Sequence, residues 1–469
     1  MSENKEQVFE NEEFEILLRK YEDMRSGVQS IFFDVEEFEQ IIDYFLDDFQ
    51  YDEAKEAANL GEKQHPSSVE IKYKFVHIFI EQGNAKKALA LLEEIPVWEE
   101  ENPERFFLKG TAYCLMGKLK EAERQFDRAL ELSGDETFEA LLNISIAFEN
   151  VRHYELAIKY LIQAFRQQPE NLSVLYDMGY FYERLHRFDD SLKYYEKYLD
   201  LDPYSDNVWY NMGIVYQKIE QHEKAVEAYD FSIAINPDYA SAYFNKAAVW
   251  INTDRLEKAI SCYRDFLEID PENTQAYCYM GDCYEQMERL DDAVAAFQKV
   301  IEIDNTDPEG WFGAGMIYNL QNSHQEAITY ILKAIEFDNT NLDYWINLGY
   351  VNEDAGLIEE ALKCYAYVTR TDPADLDGWI ALSALLMKEG DFEHAIHFLR
   401  DAFVHHPKEA LIKVKMAVCH LKLGENHKAA KLLEEGLEQD SSLVSDFAHY
   451  HPEGSYGIDI KRIIQKYKA

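Results

Sequence analysis

Two consecutive stretches of 34 residues decide the fold. Residues 172–205 read LSVLYDMGYFYERLHRFDDSLKYYEKYLDLDPYS, and residues 206–239 read DNVWYNMGIVYQKIEQHEKAVEAYDFSIAINPDY. Aligned without a gap, they share a glycine, a tyrosine and a proline at equivalent positions: Gly179 and Gly213, Tyr195 and Tyr229, and Pro203 and Pro237. Self-similarity at a fixed period of this length predicts a stack of repeats rather than one globular core.

The same period extends along most of the chain. Prolines mark it at Pro169, Pro203, Pro237 and Pro271, and again at Pro373 and Pro407. With this proline at position 32, twelve units begin at residues 35, 69, 103, 138, 172, 206, 240, 274, 308, 342, 376 and 410. The register predicts twelve repeats over residues 35–443 and an N-terminal cap segment over 1–34. Residues 444–469 are predicted to form a C-terminal turn, HPEGSYG at 451–457, and a short basic helix.

Columns of small residues support this register. Position 20 is alanine in all units but one, where it is serine: Ala54, Ala88, Ala122, Ala157, Ser191, Ala225, Ala259, Ala293, Ala327, Ala361, Ala395 and Ala429. Position 8 is Gly, Ala or Ser in ten units, and position 24 is often aromatic. Apolar positions 4, 7 and 11, and then 20, 24 and 27, have helical spacing, so each unit is predicted to form two short helices. The small residues at positions 8 and 20 are predicted to face each other where these helices cross.

These columns resemble those of the tetratricopeptide repeat family. Gly or Ala at position 8, Ala at position 20, an aromatic residue at position 24 and Pro at position 32 are the defining features of that family. The resemblance covers the twelve units, from residue 35 to about residue 443. It implies an all-α fold, a right-handed α-solenoid superhelix of antiparallel helix pairs with a concave inner groove. Such a fold does not by itself specify a function.

The amino-acid composition limits which classes of partner and which cellular compartment are expected. The 469 residues carry 89 Asp and Glu against 46 Lys and Arg, and the resulting net charge of −43 repels phosphate backbones and anionic membranes. We therefore expect no nucleic-acid partner and no membrane insertion, since no apolar run approaches the roughly 20 residues of a membrane span. No signal peptide is expected from the N-terminal sequence. The six cysteines form no CxxC pair, which favours a reducing, cytoplasmic setting.

No pattern in the sequence points to catalysis. A glycine-rich phosphate loop, an HExxH motif, a GxSxG motif and EF-hand spacing are all missing from the sequence. Carboxylates are abundant, so any two of them are near each other by composition alone. The sequence therefore predicts a protein that is not an enzyme and that uses no cofactor and no metal.

The resemblance implies which residues line the groove. In this family the first helix of each unit lines the concave face, mainly through positions 2, 5, 6, 9, 12 and 13. The residues predicted to contact a partner are Asn143, Tyr176, Tyr180, Glu183, Tyr210, Asn211, Phe244, Asn245, Asp282, Glu285, Phe312, Asn347, Tyr350 and Glu353.

Two features of this groove admit a functional and a structural interpretation. The asparagines at position 6 could pair with the backbone of an extended peptide, or they could be a common feature of such repeats. The glutamates at position 12 would favour a partner with Lys or Arg beside apolar residues, or they could follow the acidic composition. These glutamates are Glu149, Glu183, Glu285 and Glu353.

Two functions from different classes remain open at this point. The first is a scaffold or adaptor that binds a protein or peptide in an acidic, aromatic groove. The second is a regulatory or substrate-binding subunit of a larger enzyme or secretion assembly, which co-purification with a stoichiometric enzyme would reveal. Residues 1–60 have a net charge of −13 and residues 403–432 a net charge of +4, so head-to-tail self-association is a further hypothesis.

Overall fold

The structure is a computed structural model that describes residues 3–27, 31–95, 101–450 and 457–467. Within these ranges the chain forms 27 α-helices and no β-strand, so the predicted all-α fold is confirmed. Contacts within the chain divide it into two compact units, Met1–Asn236 and Pro237–Ala469. Each unit is described by itself.

The first unit is a succession of helices joined by short turns. It contains α1 (Glu3–Arg25), α2 (Val35–Asp47), α3 (Tyr51–Gln64), α4 (Val69–Glu81), α5 (Ala85–Glu94), α6 (Pro103–Leu115), α7 (Leu119–Leu132), α8 (Thr137–Glu149), α9 (Tyr154–Gln167), α10 (Leu172–Arg184), α11 (Phe188–Leu201), α12 (Asp206–Lys218) and α13 (His222–Ile235). From α2 onward they pack as pairs, such as α10 with α11 and α12 with α13.

The second unit continues the same pattern. It contains α14 (Ala240–Asn252), α15 (Leu256–Leu267), α16 (Thr274–Gln286), α17 (Leu290–Ile303), α18 (Pro308–Leu320), α19 (His324–Phe337), α20 (Leu342–Asp354), α21 (Ile358–Thr371), α22 (Leu376–Lys388), α23 (Phe392–His405), α24 (Ala410–Lys422), α25 (Asn426–Gln439), α26 (Val444–Tyr450) and α27 (Ile458–Tyr467). The pairs include α16 with α17, α18 with α19 and α24 with α25.

The turn inside each helix pair uses one left-handed residue. That residue is glycine at Gly83, Gly117, Gly356, Gly390 and Gly424. It is another residue type, with φ between 56° and 60°, at Phe49, Arg152, His186, Glu220, Asp254, Glu288 and Asn322. A left-handed residue after the last helical turn reverses the chain and lets the next helix pack back on the first. In many pairs the first helix begins after an N-cap residue whose side chain accepts a hydrogen bond from a backbone N–H. Asn171, for example, accepts one from Val174.

The glycine at position 8 makes room for the ring at position 24. A Cβ built on Gly179 would lie 2.4 Å from Cε1 of Tyr195, and a Cβ on Gly213 would lie equally close to Tyr229. The residue at position 20 touches the backbone of position 8, because the Ser191 hydroxyl donates to the Gly179 carbonyl at 2.7 Å. Positions 8 and 20 therefore do meet, but the glycine is covered by the aromatic ring rather than by the small side chain.

Both ends of the described chain pack against the neighbouring helices. In the first unit, Leu17 and Tyr21 of α1 are buried with Phe33 and Phe38. In the second unit, the apolar side of α27 is buried through Ile460, Ile463 and Ile464. Lys466 Nζ lies 2.8 Å from Glu434 Oε1 of α25, so the basic helix packs on the last helix pair. Residues 451–456 of the predicted HPEGSYG turn lie outside the described residues.

Candidate partner-binding surface

The first helices of neighbouring pairs contact one another, as α10 and α12 do in the first unit and α16 and α18 in the second. Each unit therefore has its own surface of this kind, which we call its first-helix face. In the first unit it is formed by α8, α10 and α12, and in the second by α14, α16, α18, α20 and α22. All fourteen residues predicted to contact a partner lie on these helices.

Side chains 35 residues apart meet across this face. Tyr176 Oη accepts a hydrogen bond from Asn211 Nδ2 at 3.1 Å, and Asn319 Nδ2 donates to Asp354 Oδ2 at 3.0 Å. Tyr344 follows the same rule, because its hydroxyl donates to Glu309 Oε1 at 2.6 Å. A separation of one repeat plus one residue thus brings two side chains together on adjacent first helices.

Lysines placed 35 residues further along the chain neutralise two of the predicted groove acids. Lys218 forms an ion pair with Glu183, which is buried. Lys388 Nζ lies 2.7 Å from Glu353 Oε1. In both cases a lysine at position 13 pairs with the glutamate at position 12 of the preceding unit, so these two carboxylates are already engaged within the chain.

The acids of α16 and α18 have a different environment. The residue 35 positions after Glu285 is Leu320, which is exposed and carries no charge. Asp282 is exposed to solvent, yet the protein atoms crowded around its carboxylate raise its pKa to about 6, and Glu285 and Glu309 add to the rise. Within the part of the chain that the structure describes, Asp282 and Glu285 form no ion pair. These three carboxylates, Asp282, Glu285 and Glu309, are called the α16–α18 acids below.

A smaller acidic group lies in the first unit. Burial raises the pKa of Asp177 to about 6, and the charge of Glu149 adds to the effect. Arg184 stands 35 residues after Glu149, but its guanidinium lies 5.9 Å from the ring centroids of Tyr154 and Tyr180. Sequence reasoning missed Asp177 because the column at position 6 was read for asparagines only.

The asparagines are engaged with the protein in two places. Asn211 donates to Tyr176, and Asn347 Nδ2 donates to the Asp343 carbonyl of its own helix at 2.8 Å. Asn143 is exposed and Asn245 is partly buried. An amide that holds a neighbouring side chain favours the structural interpretation of this column over a ladder for a peptide backbone.

Aromatic residues accompany the acids on the second unit's face. Tyr279 is 38% exposed and stacks on Tyr263, with ring centroids 5.7 Å apart. Tyr350 is 45% exposed, and Phe312 packs against Tyr344 at 4.7 Å. Tyr279 was missed by the sequence analysis, although its place at position 6 could have indicated it. The face therefore offers apolar rings beside uncompensated carboxylates.

Three of the six lysines of the basic segment 403–432 form ion pairs within the chain. Lys428 pairs with Glu425 at 3.0 Å, and both Lys413 and Lys431 lie within 4 Å of Glu435. Lys415 is buried. These contacts reduce the charge that the segment can offer to an acidic surface.

The residues that the structure describes contain no group of three or more His, Cys, Asp or Glu side chains that could hold a metal ion. Within them, no helix combines the length and the apolar character needed to cross a membrane. All six cysteines have free thiols, and only Cys278 is less than fully buried.

Sequence profiles described as "Tetratricopeptide repeat" match more than half of the chain. The matched segments are residues 142–206, 207–239, 240–273, 274–307, 308–341 and 386–449. A search of curated proteins found no match.

Several solved structures are similar to parts of the chain. One is described as "Crystal structure of MamA"; it is 26% identical, its match covers 34% of this chain and 95% of that chain, and its TM-score is 0.32. Another is described as "MamA 41-end from Desulfovibrio magneticus RS-1", with 19% identity, coverage of 36% and 96%, and a TM-score of 0.32. A third, "Crystal structure of APC/C hetero-tetramer Cut9-Hcn1", is 15% identical over 81% of this chain and 89% of that chain, with a TM-score of 0.35.

Proposed function

The chain belongs to the tetratricopeptide repeat family, and from that premise we propose that it is a non-catalytic scaffold that binds a protein or peptide on its first-helix face. The fourteen predicted groove residues remain our proposed contact set, and on the second unit the α16–α18 acids are the proposed site for the partner's cations. The proposed partner carries Lys or Arg beside apolar residues. The six free thiols support a reducing compartment, and we propose a cytoplasmic location on that ground.

One observation carries this proposal. Among the residues that the structure describes, Glu183 and Glu353 are paired with lysines, whereas Asp282 and Glu285 form no ion pair. Like charges held close together in a crowded site raise one another's pKa, and an incoming cation relieves that repulsion. A partner's lysine or arginine would gain the most binding free energy at the α16–α18 acids. Apolar side chains next to it in the partner would lie close to Tyr279 on α16.

A peptide selection on the full-length chain tests the proposal. Random peptides displayed on phage and selected on the immobilised protein are expected to be rich in Lys or Arg next to aromatic or aliphatic residues. The variant Asp282→Asn with Glu285→Gln should bind the selected peptides about tenfold more weakly, because two uncompensated charges are removed. The matched control is Glu183→Gln with Glu353→Gln, which removes the same charge from carboxylates that already have a lysine.

The control variant, Glu183→Gln with Glu353→Gln, is expected to bind the selected peptides with an affinity within about threefold of that of the unchanged chain. Selected peptides without basic residues, or equal losses in the two double variants, would show that the α16–α18 acids do not direct binding. Thermal unfolding of both variants checks that the change in affinity is not a change in folding.

We also propose the twelve-repeat division of residues 35–443, with residues 1–34 and 444–469 as end segments. The helix bounds and the left-handed residue found every 34 positions from Arg152 to Gly424 support it. Head-to-tail self-association remains a proposal with less support, because three of the six lysines of residues 403–432 form ion pairs within the chain. A monomer mass at low ionic strength would disprove it.

A further inference from the structure

A cleft of about 490 Å³ lies in the first unit, on α11, α12 and α13. Its lining is Glu196, Leu199, Asp200, Trp209, Met212, Tyr216, Lys224, Glu227, Ala228 and Phe231. It does not include any of the residues predicted to contact a partner on the first-helix face. Six of the ten lining residues are apolar or aromatic, so the cleft is largely apolar.

The apolar part of the cleft is built around a stacked pair of rings. The Trp209 and Phe231 ring centroids are 4.4 Å apart, with 27° between the ring planes. Trp209 Nε1 donates to the Pro203 carbonyl at 2.9 Å, which holds the indole in place. Phe231 nevertheless leaves 44% of its surface exposed. A held indole beside a half-exposed phenyl ring offers a preformed seat for one more apolar side chain.

Apolar exposure continues next to this seat. Leu201 and Tyr204, at the end of α11 and in the turn that contains Pro203, are 45% and 80% exposed. Single exposed apolar side chains are ordinary on a protein surface, but neighbouring ones are typical of sites where another molecule binds.

Three carboxylates line the same cleft as the ring pair. Glu196 and Asp200 are on α11, Glu227 is on α13, and all three are exposed. Glu196 and Glu227 both act on Tyr216, whose pKa is raised by burial first and then by these two charges. The two helices therefore direct negative charge towards the same point of the cleft.

The cleft offers little positive charge in return. Lys224 lies 5.3 Å from the centroid of the Tyr216 ring, over its face. Among the residues that the structure describes, no ion pair involves Glu196, Asp200 or Glu227. Three carboxylates and one lysine leave the rim of an apolar seat negatively charged, and that combination selects the chemistry of the occupant.

We propose that this cleft is a second docking site, which binds a partner segment carrying one large apolar side chain flanked by lysine or arginine. The apolar side chain packs on Trp209 and Phe231, and the flanking cations face Glu196, Asp200 and Glu227. None of the residues that line the cleft belongs to the proposed contact set of the first-helix face, so the chain can hold two segments at once, which is the behaviour expected of a scaffold.

The test uses the full chain and a photoreactive peptide. The probe is the heptapeptide Gly-Lys-Lys-Xaa-Lys-Lys-Gly, in which Xaa is p-benzoylphenylalanine, and the matched control peptide has Glu in place of each Lys. After irradiation, mass spectrometry locates the cross-linked residues. Cross-links from the lysine peptide are expected between residues 196 and 231, with about tenfold fewer from the glutamate peptide.

Three variants separate the cleft from the first-helix face. Phe231→Ser should lower the yield of cross-links in the cleft about tenfold, and Glu196→Gln with Glu227→Gln should lower it about fivefold. Asp282→Asn with Glu285→Gln should leave the cleft cross-links within about twofold of the unchanged chain, since those acids belong to the other surface. The cleft yield should fall when the salt is raised from about 50 to about 500 mM.

Other results would overturn the proposal. Cross-links confined to other helices, or a Phe231→Ser variant that reacts like the unchanged chain, would show that the cleft binds no such segment. Circular dichroism and the unfolding midpoint of Phe231→Ser check its fold, and the exposed glutamate pair provides a test that does not touch the ring stack. If sedimentation shows a dimer that Phe231→Ser dissociates, then the cleft is covered by a second copy of the chain and the proposed occupant is wrong.

Discussion

Lys388 Nζ lies 2.7 Å from Glu353 Oε1, and the two residues are 35 positions apart on consecutive first helices. Lys218 and Glu183 stand in the same relation. The charge that the first-helix face presents to a partner is therefore set by pairs of residues on adjacent helices rather than by one acidic column.

Removing the lysine from such a pair should strengthen the binding of a basic peptide. In Lys388→Met, Glu353 loses the lysine that pairs with it, so the affinity for lysine-containing peptides selected on the chain should rise about threefold. The free energy of unfolding should change by less than about 0.5 kcal/mol, because Lys388 is largely exposed. Lys363→Met is the control, since it removes a lysine from the exposed pair Lys363–Glu360 on α21. Equal gains in the two variants would mean that net charge alone matters.

Asp177 should make the protein less stable as the pH rises. Its pKa is raised to about 6 in the folded chain, so between about pH 4 and pH 6 the folded state binds more protons at this carboxyl than the unfolded state does. The free energy of unfolding consequently falls across that window and stays low above it.

Asp177→Asn removes that dependence. At about pH 8 the variant should be more stable by about 1–2 kcal/mol, and its pH profile between about 4 and 6 should be flatter. Asp189→Asn, an exposed position on α11, removes the same charge without the burial and is expected to leave the profile unchanged. Urea unfolding at several pH values measures both. A profile of Asp177→Asn that matches the unchanged chain would contradict the assignment.

Glycine should stabilise the turns that now use another residue. Glu288 has φ +57°, a left-handed conformation that costs a residue with a Cβ about 1–2 kcal/mol. A glycine avoids this cost, but it lowers the free energy of unfolding by about 0.4–1 kcal/mol because it makes the unfolded chain more flexible. Glu288→Gly should therefore raise the free energy of unfolding by about 0.5–1 kcal/mol. The reverse change, Gly356→Glu at φ +74°, should lower it by a similar amount. Thermal unfolding measures both, and a lower midpoint for Glu288→Gly would contradict the turn argument.

The thiols should react slowly in the folded protein. Cys278 is the one cysteine that is not fully buried, and burial raises its pKa to about 12, with nearby Asp307, Asp282 and Glu309 adding to the effect. Because the thiolate is the reactive form, iodoacetamide at neutral pH should modify the native chain far more slowly than the chain unfolded in urea. Cys278→Ser should barely change the native rate. Rapid modification of one native thiol would show that its surroundings open.

The helix pairs could be predicted from the sequence, whereas the packing inside them could be predicted only in part. Spacing alone indicates two helices per 34 residues, since apolar positions recur with a helical period. The sequence predicts that the glycine at position 8 faces the small residue at position 20. In the structure the Tyr195 ring covers Gly179, while Ser191 reaches only the glycine's carbonyl oxygen. The direction in which a ring leans across two crossing helices is not encoded in the spacing.

The candidate site, too, could be predicted from the sequence only in part. The sequence by itself determined that acids and aromatic residues recur at the positions of the first helices, because the column pattern assigns each residue to a helix face. Only the tertiary structure decided which of those acids are neutralised. Lys218 reaches Glu183, while Leu320 stands where a lysine would have reached Glu285. Charge pairing depends on distances of a few ångströms between side chains of adjacent helices, and those distances exist only after the helices have packed.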